Sequence, residues 1–97
     1  MPTYVSLIDW TRQGVADFQE TVDRYEAAQQ QFGELGVRFR EIYWTLGEHD
    51  IVAVIEAPDD ETATAALLAL GAQGNVRTQT MRAFSPEEMR TVIEKAP

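Results

Sequence analysis

The chain has no cysteine, one histidine, half as many basic residues as acidic ones (eight against sixteen) and no long apolar run. Each shortage removes a class of protein. Without thiols there is no disulfide framework, no zinc–thiolate site and no iron–sulfur ligation. A metal or haem would have to rest on one histidine plus carboxylates, with no second histidine or cysteine to join it, so no metal site is expected and no cofactor is assigned. The net charge of -8 repels phosphate backbones and anionic lipid head groups, so neither nucleic acid nor a membrane surface is an expected partner. No stretch approaches the roughly 20 apolar residues of a membrane span. The opening Met1-Pro2-Thr3-Tyr4 also lacks the basic and apolar regions of a secretory signal, and the chain reads as cytoplasmic.

What is present suits one small globular unit. Ninety-seven residues make a single domain, 1–97, too short for two halves with a cleft between them. With 44% apolar residues, a chain of this length buries about 65% of its unfolded surface, enough for a core without a structural metal.

Thr3 to Trp10 is rich in aromatic and β-branched types and stops at the polar Thr11-Arg12-Gln13-Gly14, which predicts a strand followed by a loop. From Asp17 onward, Phe18, Val22, Tyr25, Ala28, Phe32 and Leu35 recur at steps of three or four, one stripe of a helix that Gly36 ends. Val37 to Leu46 and Ile51 to Ala57 return to strand chemistry. Gly47-Glu48-His49-Asp50 between them is short enough for a hairpin. Pro58-Asp59-Asp60-Glu61 then breaks and caps a second helix carrying Ala63, Ala66, Leu67 and Leu70, which Gly71 and Gly74 close. Asn75 to Phe84 reads as a fourth strand. Ser85-Pro86-Glu87-Glu88 is a capping box that opens a terminal helix with Met89, Val92, Ile93 and Ala96.

The order β-α-β-β-α-β with a terminal helix predicts an α+β, ferredoxin-like domain. Its four-stranded antiparallel sheet has the first and third strands central and the second and fourth at the edges. Charge placement agrees. Arg38, Arg40, Arg77 and Arg82, four of the eight bases, fall on the predicted edges, where charge discourages stray pairing, and the central strands carry none.

The central strands are apolar on both faces: Val52, Ala53, Val54 and Ile55 in one, Val5, Leu7 and Ile8 in the other. Helices cover one face of such a sheet, so the other is left as an apolar slab. Two arrangements cover it: a symmetric homodimer joined sheet to sheet, which is favoured, or the C-terminal helix folded over the open face.

Several stretches together resemble the GYD domain family over essentially the whole chain. They are Pro2-Thr3-Tyr4-Val5, Tyr43 to Val52, Glu56 to Ala63 and Gly74-Asn75-Val76-Arg77-Thr78. Gly47 and Asp50 match the Gly-x-Tyr-Asp turn that names the family, while His49 stands in place of the tyrosine. The resemblance implies a small ferredoxin-like protein of dimeric α/β-barrel character, from a family without a settled biochemical role.

His49 is the one side chain whose type transfers protons near neutrality, and Asp50 is its neighbour. Adjacent residues in a strand point apart, so only turn geometry could join them. The plainer reading is a hairpin tip with Asp50 on backbone amides. Asp59, Asp60 and Glu61 lack the alternate spacing of a calcium loop and read as helix-capping acids, as do Glu87 and Glu88. Gly71-Ala72-Gln73-Gly74 joins a helix to a strand in an acidic chain, which fits a helix end rather than an RNA clamp. Tyr43, Thr45, Thr78, Thr80 and Arg82 line a small polar cavity between apposed sheets if strand register puts them on the open face. Asp50 is counted with them as a ligand-binding candidate.

Two functions fit these observations. One is a homo-oligomeric binding or regulatory module whose partners are a second copy and a small ligand at the sheet-sheet interface. The other is a cofactor-free enzyme of the dimeric α/β-barrel kind, with His49 as acid or base and Arg82 or Tyr43 orienting an anionic or phenolic substrate.

Overall fold

The computed structural model describes every residue, Met1–Pro97. In chain order its elements are β1 (Thr3–Trp10), α1 (Arg12–Ala16), α2 (Thr21–Glu34), β2 (Arg38–Trp44), β3 (Ile51–Glu56), α3 (Asp60–Ala72), β4 (Val76–Ala83) and α4 (Pro86–Lys95). The strands form one antiparallel sheet in the order β2-β3-β1-β4. The two most apolar strands are therefore central and the arginine-bearing strands lie at the edges, as the ferredoxin-like plan requires.

Alternation along the central strands creates two unlike faces. Tyr4, Ser6 and Ile8 of β1 and Ile51, Ala53 and Ile55 of β3 are buried, while Val5, Leu7, Val52 and Val54 between them are only partly covered. The buried set packs under α2 and α3 with Phe32, Val37, Ala57, Ala63 and Ala66. Alanines at 28, 53, 57, 63 and 66 let the helix backbones approach the sheet closely. Aromatic rings fill the space between α2 and β2. Phe32 stacks on Phe39 at 5.1 Å, and Tyr25 meets Phe39 and Trp44 edge-on at 5.2 and 6.1 Å.

Two local features depart from the sequence reading. The loop expected after β1 is a short helix, α1, followed by a 3-10 turn over Phe18–Glu20, and α2 begins only at Thr21. The cause lies at Thr11, whose hydroxyl accepts from Gly14 N at 3.1 Å, capping α1, and donates to Gly74 O. Gly14 lies so close to Asn75 that a Cβ there would stand 1.9 Å from the Asn75 carbonyl oxygen. Phe18 and Leu35, read as part of the helix stripe, fall outside α2 and are exposed, because the helix starts later and ends at Glu34 before Gly36 at φ 78°; Val22, in the first turn of α2, is exposed as well.

In β2 the register shifts between Phe39 and Glu41, a bulge at Arg40. The extra residue lets both Phe39 and Ile42, three apart, pack on the helix side.

The capping box opening α4 is present. Ser85 Oγ accepts from Glu88 N at 3.1 Å and Glu88 Oε1 accepts from Ser85 N at 2.9 Å. That backbone hydrogen bond from Ser85 holds the Glu88 carboxyl below its ordinary pKa. The helix does not fold over the open face: none of its residues is buried, and Ile93 is 61% exposed. The radius of gyration, 14.5 Å, exceeds the about 12.5 Å of a compact chain this long, as expected of a helix standing away from the body.

Candidate functional site

Register converts alternation into a map of the open face. Tyr43, Val52, Leu7 and Gln79 lie side by side across the four strands, and Glu41, Val54, Val5 and Met81 form the next row. The following row, Arg38, Glu56, Thr3 and Ala83, includes an ion pair, with Arg38 Nη2 2.5 Å from Glu56 Oε1. The centre of the face is thus four aliphatic side chains. Tyr43 and Met81 flank them, 59% and 48% exposed, and charge stands at one end.

The other end holds the histidine. His49 Nδ1 lies 3.2 Å from Asp9 Oδ1, both side chains partly exposed, and register sets Asp9 opposite Arg77. Asp9, forty residues away in the chain, is the partner that adjacency along the sequence could not reveal. Asp50 does different work. Its Oδ2 accepts from Trp10 N at 2.9 Å and its own N–H donates to Ile8 O at 3.1 Å, tying the hairpin to β1. Thr45 closes the same loop, donating its hydroxyl to His49 O at 2.5 Å and its backbone N–H to Asp50 O at 2.8 Å.

The structure therefore brings Tyr43, Thr45, His49 and Asp50 to one region and separates them from the β4 candidates. Thr78, Thr80 and Arg82 lie on the helix side of the sheet. Thr80 Oγ1 is 2.9 Å from Ser6 Oγ, Thr78 is level with Ile8, and the Arg82 guanidinium sits over the rings of Tyr4 and Phe84 at 5.8 and 4.5 Å. Their alternation is opposite to that required, and Arg77, Gln79 and Met81 occupy the open face instead. Period two along β4 keeps these sets apart. Choosing between them needed the register to β1.

Asp59 and Asp60 make hydrogen bonds within the fold. Asp59 Oδ1 accepts from Thr62 N at 2.8 Å at the start of α3, and hydrogen bonding to Thr62 holds its carboxyl below the usual range. Tyr4 donates its hydroxyl to Asp60 Oδ1. Burial, reinforced by this bond and the Asp60 charge, pushes the phenol up to about 12.

An α+β domain with an uncovered apolar sheet face and a histidine–aspartate pair at its margin is the class of protein this structure defines. The chain belongs to the GYD domain family, whose family model matches residues 4–93. Over 85 residues it is 34% identical to the glutamine synthetase and cystathionine beta-lyase binding protein of Thermus thermophilus. That alignment covers 87% of this chain and 90% of the relative. The crystal structure of TTHA0845, also from Thermus thermophilus, matches with a TM-score of 0.55 and 26% identity, over 88% of this chain and 95% of that one. The crystal structure of FFRP-DM1 matches with a TM-score of 0.61 over 87% of this chain and 100% of that one. At 15% identity this is a likeness of fold alone.

Proposed function

We propose that this protein is a small binding or regulatory module that assembles as a homodimer through its open sheet face and acts by docking on other proteins. The observation that carries the assembly is the row pair Tyr43-Val52-Leu7-Gln79 and Glu41-Val54-Val5-Met81, an apolar surface that the protein's own α4 leaves uncovered. Water against such a face is unfavourable, and a twofold pairing buries the same patch on both copies at once. The Thermus relative is named for binding two enzymes, which supports a role as an accessory to metabolic enzymes here. The acidic surface steers such a module toward basic or neutral protein surfaces. A small ligand held between the paired sheets belongs to this reading, with Tyr43 contributed by both copies. Sedimentation at micromolar concentration tests it: a species of twice 10.9 kDa is expected, and a lone 10.9 kDa species overturns the assembly.

One observation favours a second reading, a cofactor-free enzyme. His49 and Asp9 form a pair of the kind that orients an imidazole for proton transfer, with Tyr43 one row away and Arg77 opposite Asp9. In this reading a phenolic probe, 4-nitrophenol, shifts the His49 ring resonances, and Asp9→Asn removes the response. Ring signals indifferent to the probe, together with unchanged thermal stability of His49→Tyr, would leave the histidine as a turn residue.

A further inference from the structure

Two apolar protrusions have no cover in the single copy. Leu46, in the turn between β2 and β3, is 105% exposed, the most exposed large apolar side chain in the protein. The other is the α4 stripe Met89, Val92 and Ile93, with Phe84 just before the helix 51% exposed. An open notch of about 270 Å³ lies between Phe84 and the helix, lined also by Glu88, Thr91, Val92 and Lys95. One aliphatic side chain fits there, since a cavity of about 150 Å³ holds benzene.

Topology keeps the two protrusions apart within one copy. β2 and β4 are opposite edges of the sheet. The turn leaves β2 at the end where Ile8 pairs with Ile51, and α4 leaves β4 at the end where Thr3 pairs with Ala83. They therefore stand at diagonally opposite corners. A twofold axis lying between two facing sheets, along the other diagonal, exchanges those corners, so each copy's turn arrives at the other copy's α4 and the contact is made twice. The strands of the two sheets then cross near 90°, one of the two usual packings of facing sheets; the aligned packing leaves both protrusions bare.

Charge and size agree with the crossed arrangement. No ion pair within the copy engages Glu48, near Leu46, or Arg90 and Lys95, which flank the α4 stripe on its two sides. The open face alone is small for a stable association. Its four strands and three rows have a footprint of roughly 400 Å², whereas each partner in a typical complex buries about 800 Å² of accessible surface.

We infer that the notch between Phe84 and α4 is the seat for Leu46 of a second copy, with Glu48 of that copy drawn to Arg90 and Lys95. This rests on the homodimer proposed above and fixes its geometry as crossed sheets.

The absence of cysteine allows single cysteines to be placed on the full chain as cross-linking points. Glu48→Cys and Thr91→Cys lie beside the contact at exposed positions, so neither disturbs the core. Mixed in equal amounts and treated with a short bismaleimide, the two should give a covalent product of twice 10.9 kDa. Either variant alone should give little, because like residues lie at opposite ends of the crossed pair. Leu46→Ser should raise the dimer dissociation constant about 10²- to 10⁴-fold in sedimentation across a dilution series, one buried leucine being lost per copy. Suppose that wild type sediments at twice 10.9 kDa but the mixture gives no more product than the single variants, or Leu46→Ser leaves the dissociation constant unchanged. Either result overturns this seat and leaves the homodimer standing. A wild type of 10.9 kDa overturns both.

Discussion

Replacing Val54 with lysine separates the folding of one copy from the association of two. Val54 is half-buried on the open face, level with Val5 on one side and Glu41 on the other. In a single copy a lysine here stays in water beside Glu41, a cross-strand pair of opposite charge, so the fold should lose no more than about 1 kcal/mol. Across a sheet-to-sheet interface the same change removes the remaining burial of a half-covered valine, about 1 kcal/mol per copy. It also strands a desolvated donor, which costs about 1–3 kcal/mol per copy. Twofold symmetry doubles both, to about 4–8 kcal/mol, or roughly 10³- to 10⁶-fold in the dissociation constant. Sedimentation should therefore find wild type at twice 10.9 kDa and Val54→Lys at 10.9 kDa, with circular dichroism and thermal unfolding of the variant close to normal. A variant that stays dimeric would refute the assignment of this face. One that unfolds outright would refute the claim that Val54 does no essential packing within the single copy.

Three further outcomes follow from local geometry. Gly14→Ala forces a Cβ into the Asn75 carbonyl and should lower stability by about 3 kcal/mol in urea unfolding, whereas a change under about 0.5 kcal/mol would mean that α1 does not lie against Asn75. Asp50→Ala leaves the Trp10 backbone N–H without its acceptor and should cost about 1–3 kcal/mol, measured the same way; no loss would remove Asp50 from its role in anchoring the hairpin. The Tyr4 phenol, raised to about 12, binds its proton more tightly folded than unfolded. Its contribution is thus complete below about pH 10 and is lost as pH climbs toward 12. Alkaline unfolding of wild type and Tyr4→Phe should accordingly converge over that window, and parallel curves would show that Tyr4 is not responsible.

Much of the fold was legible because its signals are local. Caps at Asp59 and Ser85 act within three residues. Gly36 and Gly74 end helices through backbone freedom at their own positions, with φ of 78° and 84°. Two-sided apolar runs in β1 and β3 marked the centre of the sheet, and arginines marked its edges, because burial on both faces excludes charge and an exposed edge welcomes it. The candidate site was less legible. Tyr43, Thr45, His49 and Asp50 share a hairpin, so chain proximity already grouped them. Thr78, Thr80 and Arg82 could be placed on a face only by pairing β4 with β1, and one residue of register exchanges the faces.

By itself, then, the sequence determined the four strands, the three longer helices with the caps that open α3 and α4, and that the sheet would be apolar on both sides, while the short helix α1 and the later start of α2 escaped it. Periodicity, capping chemistry and composition operate over a few bonds and are written in neighbouring residues. Tertiary structure alone decided that His49 meets Asp9, that the bulge at Arg40 turns both Phe39 and Ile42 inward, and that the Trp10 indole N–H is buried without a hydrogen-bond partner. It also decided that α4 stands clear of the sheet instead of covering it. Those outcomes depend on distances between residues far apart along the chain, set by packing competition among whole elements, which no local pattern encodes.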